Sequence, residues 1–66
     1  MEQDQIHILK QKMQDLKHER NLAEFNRKRA LYQDHFFDAD MHEAKRDKIQ
    51  EKIDSVRVQI QELLAA

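Results

Sequence analysis

Apolar side chains recur at three- and four-residue intervals along both halves of this chain, and the rhythm breaks once, in the middle. Ile6, Leu9, Met13 and Leu16 set it in the first half, and Ala23, Ala30 and Leu31 continue it. Ile49, Ile53, Val56, Ile60 and Leu63 set it in the second half, where Leu64 widens the stripe. At 100° per residue each set lies on one side of an α-helix; the period-two alternation of a half-buried strand fits neither. Toward the middle of the chain the first stripe takes in Arg20 and Arg27, and the second takes in His42, Lys45 and Arg46. Large apolar groups thus give way to small and charged ones as the two stripes near the break.

The break is Leu31 to Glu43, LYQDHFFDADMHE, and it contains neither Gly nor Pro. Asp34, His35, Phe36, Phe37 and Asp38 are five consecutive residues of poor to middling helix propensity. Asp38 and Asp40 can cap a new helix by accepting from its free N–H groups, and Asp40 with Glu43 has capping-box spacing. His35 is expected at or near the left-handed residue that ends the first helix. The spacing predicts helix 1 over about residues 5–33, a turn at 34–38 and helix 2 over about 39–64, with the polar stretch 1–5 frayed. Folding at about Phe36 pairs Leu9 with Leu63, Met13 with Ile60, Leu16 with Val56 and Ala23 with Ile49. The expected fold is all-α, a two-helix antiparallel coiled-coil hairpin. The competing form is one unbroken helix in a parallel coiled coil; the matched lengths of the two halves argue against it.

Leu31, Tyr32, Asp34, Phe37, Asp38, Glu43, Ala44, Lys45, Lys48 and Ile49 resemble the turn of short bacterial helical hairpins of the SHOCT type. They are similar also to the coiled-coil insert of large serine recombinases. His35 stands where that pattern has Gly, Asp38 where it has a capping Thr or Ser, and His42 where it has an aromatic. Asp38, Ala39 and Asp40 also resemble the Asp-Ala-Asp bend of Rop-type plasmid RNA-binding dimers. These resemblances imply a helical hairpin and carry no active site with them.

Sixty-six residues allow one small domain. Two helices touching along one seam bury little apolar surface, so dimerisation into a four-helix bundle is the expected remedy. No run of about eighteen apolar residues exists, which argues against a membrane span, and the acidic start argues against a signal peptide. With no Cys, disulfides and thiolate metal sites are excluded, which fits the cytoplasm, by default of a bacterium or phage.

Three surfaces invite a functional reading. Leu22, Phe25, Arg29 and Tyr32 fall opposite the first stripe at helical spacing, with Ile8 nearer the N-terminus. One amphipathic face cannot hold both sets, so these four are the candidate contact for a copy of the chain or another protein. Arg27, Lys28, Arg29, Lys45 and Arg46 form a basic tract flanking the bend that could meet phosphates, as in a Rop-like nucleic-acid binder. Interleaved acids and a net charge of −1 oppose that reading. Third, His35, His42 and the nearby aspartates could suggest a metal, but zinc needs three or four converging ligands, and no metal or other cofactor is expected. A hairpin offers no pocket to shift a pKa, and the chain has no Gly for a phosphate loop, so no enzyme is expected. Phe36 and Phe37 could be core plugs or an anchor at the bend tip. The function expected is a non-enzymatic protein–protein interaction module: an adaptor, inhibitor or regulatory subunit. A structural coiled-coil piece of a larger assembly is the further alternative.

Overall fold

The computed structural model describes the backbone of residues 2–65 and the side chains of residues 4–65. Two α-helices, α1 (Glu2–Tyr32) and α2 (Phe36–Ala65), pack against each other as a hairpin. The molecule is 49 Å in its longest dimension. One helix of 31 residues accounts for about 46 Å of that at 1.5 Å per residue, so the helices lie side by side. The unbroken-helix alternative, a rod of about 95 Å, is excluded. Helix α1 already runs from Glu2, so the expected fraying of residues 2–5 is not seen; Met1 lies outside the described residues.

The reversal takes three residues, 33–35, where five were expected at 34–38. Asp34, not His35, adopts the left-handed conformation, with φ 61°. Aspartate tolerates this region better than most residues because its short polar side chain can bond locally. The N–H of His35 donates to the carbonyl of Ala30 (2.8 Å) and that of Asp34 to Leu31 (3.1 Å). This is the six-to-one and five-to-two pair of a Schellman motif, which satisfies carbonyls that the helix end would otherwise orphan.

His35 then serves the second helix at once. Its carbonyl accepts the first α2 bond, from the N–H of Ala39 (3.0 Å), which makes it the residue that caps α2. Asp38 and Asp40 are consequently not caps. Asp38 sits in the first turn of α2, where its negative charge suits the helix dipole, with Oδ2 4.0 Å from His35 Nδ1. The poor propensity of Phe36 and Phe37 was the misleading signal: they begin the helix rather than delay it.

Leu9 and Leu63 line one groove between the helices and Leu16 and Val56 another, as the expected pairing has them. Nearer the bend, hydrogen bonds cross between the helices. Arg20 Nη1 donates to Gln50 Oε1 (2.9 Å), and Arg46 Nη1 to Glu24 Oε2.

The seam is the one that the periodicity marked. Ala23, Ala30, Ala39, Ile49, Ile53, Val56 and Ile60 are buried, and Ile53 is fully enclosed. Ile6, Leu9, Met13, Leu16 and Leu63 are half-buried along the same line. Leu31 and Leu64, which the spacing added to the stripe, are exposed, as is Lys45. Burial is lopsided: α2 contributes the branched aliphatics that are covered, while on α1 only Ala23 and Ala30 are buried and the larger Ile6, Leu9, Met13 and Leu16 are half-buried.

Candidate protein-interaction surface

The outer side of α1 follows from the inner one. Residues two positions on from the seam are turned about 200° away from it, and Leu22, Phe25, Arg29 and Tyr32 keep that offset through three successive steps of three, four and three. The structure leaves all four exposed: 49% for Leu22, 62% for Phe25 and 91% for Tyr32, with Arg29 in the same class. They form one ridge about 15 Å long on the side facing away from α2. Arg29 makes no ion pair among the described residues, so its guanidinium is uncommitted at the centre of an apolar ridge. Ile8 continues the line two heptads back at 65% exposure, beyond polar Gln11, Asp15 and His18.

The bend carries further exposed apolar groups. Phe36 and Phe37 are 62% and 77% exposed, so they are not core plugs; Met41 and Leu31 stand out beside them. From Leu31 to Ala44 the chain carries Asp34, Asp38, Asp40 and Glu43 and no Lys or Arg. The tip is therefore aromatic and acidic. Scattered single apolar groups are ordinary on protein surfaces, but a run of them along one ridge and around one end of a small molecule is not.

The basic tract behaves differently from its sequence. Arg27 and Arg46 lie in the seam from opposite helices and share the carboxylate of Glu24. Arg27 Nε donates to Glu24 Oε2 (3.0 Å) and its Nη2 to Oε1, while Arg46 Nη1 reaches Oε2 from α2. Arg46 is further tied to Asp47 Oδ1 (3.1 Å) and to Glu43 Oε1 (3.5 Å). All three members of the triad are only about a quarter exposed, at 23%, 28% and 26% for Arg27, Glu24 and Arg46. Hydrogen bonds from Arg27 and Arg46 hold the Glu24 carboxyl down at about 2, against the ordinary 4.5. The same bonds to Glu24 raise both guanidinium pKa values. Two of the five cations expected to meet phosphates are thus consumed internally. Lys28, Arg29 and Lys45 remain, exposed, on two helices.

Sequence reasoning placed Arg27 and Arg46 on the seam side but did not single out Glu24 among the interleaved acids. Its position three residues before Arg27 was the available signal. Among the described residues no three His, Cys, Asp or Glu side chains converge as a metal would need, and no helix is long and apolar enough to cross a membrane. Comparison with protein-family models, with curated proteins and with solved structures finds no match for this chain.

Proposed function

We propose that the chain is a non-enzymatic protein–protein interaction module, an adaptor, inhibitor or regulatory subunit acting in the cytoplasm. It offers the outer ridge of α1, Leu22, Phe25, Arg29 and Tyr32, to a partner in the helix-in-groove manner. Pairing of two hairpins through this ridge would set four helices side by side, with α1 against α1 in the middle. The observation that carries the reading is the exposure of Leu22, Phe25 and Tyr32 at helical spacing on the side turned away from α2. Aromatics beside an arginine are the composition that dominates binding energy at protein interfaces.

The test is recovery of a binding partner from native extract with the wild-type chain as bait, repeated with Phe25→Ser/Tyr32→Ser. A partner held by the first and lost by the second, with helicity unchanged by circular dichroism, supports the reading. Equal recovery by both baits removes this ridge from it.

A further inference from the structure

The outer ridge of α1 is self-complementary, which deepens the proposal above and rests on it. We infer that two copies of the chain meet ridge to ridge, α1 antiparallel to α1 of the partner, about a two-fold axis level with Arg27.

An isologous contact requires each residue of a patch to meet another residue of the same patch. The midpoint of the ridge lies halfway between Leu22 and Tyr32. A two-fold axis there sets Leu22 against the partner's Tyr32 and Phe25 against the partner's Arg29. All four residues are then used twice over, and the three-four-three spacing gives the layered packing of an antiparallel coiled-coil seam. The charge is answered as well. Arg29, uncommitted within its own chain, lies over an aromatic face, where a guanidinium is attracted by the ring quadrupole. In a foreign groove it would need an acidic or aromatic group that this chain does not specify.

The shape leaves surface to cover: the hairpin exposes 5342 Å², whereas a compact monomer of 8.0 kDa exposes about 4,450 Å². An overlap of one third of α1 falls short of the ~800 Å² per partner of a standard interface, so the contact is small and the dimer weak. The pairing is staggered: it overlaps the bend-proximal thirds, brings each acidic, aromatic tip alongside the partner's α1, and leaves the open ends of the hairpins clear.

Sedimentation equilibrium of the full chain, from micromolar to millimolar concentration, reads the outcome. A mass of twice 8.0 kDa is expected, falling to one chain for Phe25→Asp/Tyr32→Asp with helicity retained. Ile8→Gln, on the same line but outside the overlap, leaves the dimer intact. Arg29→Glu raises Kd by about tenfold. Because the chain has no Cys, paired substitutions report the register. A mixture of Leu22→Cys and Tyr32→Cys chains oxidises mainly to the mixed disulfide. If the double aspartate variant unfolds, Arg29→Glu and the mixed disulfide decide the matter alone. A single-chain mass throughout overturns the inference and leaves the ridge to a different protein. A dimer indifferent to both Arg29→Glu and the double variant, or disulfides without preference for the mixed pair, also overturns it, and places the contact between copies elsewhere.

Discussion

Arg46 on α2 donates across the seam to the carboxylate of Glu24 on α1, which already holds Arg27 from its own helix. One acid therefore sits between two cations where the facing helices would otherwise bring like charges together. A charged layer of this kind contributes little net stability compared with a well-packed apolar one, but it penalises any register that separates its members. Combined with alanines at positions 23, 30 and 39, it makes the half of the seam next to the bend small-residue and polar. The opposite half is aliphatic.

The triad sets an acid limit. Glu24 has a folded pKa lowered to about 2 from 4.5, so it contributes stability that is fully present above pH 4.5. That contribution is lost as pH falls through about 2. Thermal melts between pH 5 and pH 2 should show a falling Tm for the wild type. Glu24→Gln should start from a lower Tm at neutral pH, because Arg27 and Arg46 then face each other without the acid between them, and its Tm should fall less over the same range. A wild-type acid profile that survives the substitution unchanged would assign the pH dependence to other carboxylates.

Among the described residues, Ile53 is the one side chain with no exposure at all. Ile53→Val should cost about 1 kcal/mol and Ile53→Ala about 2–4 kcal/mol, by lost transfer energy and by the cavity left behind. Chemical denaturation at neutral pH measures both. Val58→Ala, half-exposed on the outer side of α2, serves as the control and should cost well under 1 kcal/mol. Equal effects at positions 53 and 58 would contradict the seam.

Asp34 carries the only left-handed backbone among the described non-glycine residues. Asp34→Gly should be neutral or stabilising by up to about 1 kcal/mol, since glycine reaches φ 61° without a Cβ clash. Asp34→Val should cost about 1–2 kcal/mol. It should also favour straightening of the bend, because no other Gly or Pro stands there to hold it. The readout is an increase in hydrodynamic radius at constant helicity.

Nucleic acid is expected not to shift the chain in a gel at low salt, because Arg27 and Arg46 are committed to Glu24. A shift that weakens steeply with added salt and disappears on replacing Lys28, Arg29 and Lys45 would restore the phosphate-binding reading, since phosphate contacts release counterions.

The helices and their antiparallel pairing were legible in the apolar spacing because burial of Ile49, Ile53, Val56 and Ile60 is what holds the hairpin together. The bend was legible as a region but not as a geometry. Helix propensity ranks residues by average behaviour, whereas here the hydrogen bonds of His35 with Ala30 and Ala39 start the second helix on two phenylalanines of modest propensity. The outer ridge was legible because its four members keep helical spacing opposite the seam. The fate of the basic tract was not. Whether Arg27 and Arg46 face water or each other depends on which side chains meet near the bend, where small and charged groups leave the apolar spacing little to specify.

The reversal at Asp34 is what frees the outer side of α1, and a distance between spin labels at Lys12 and Gln59 tests it most directly. These residues line one groove beside the seam. Doubly labelled chain diluted into an excess of unlabelled chain isolates the distance within one molecule. The hairpin predicts labels within about 25 Å, the helix spacing of ~10 Å plus two label arms. A distance near 70 Å, the rise of a continuous helix between those positions, would contradict it.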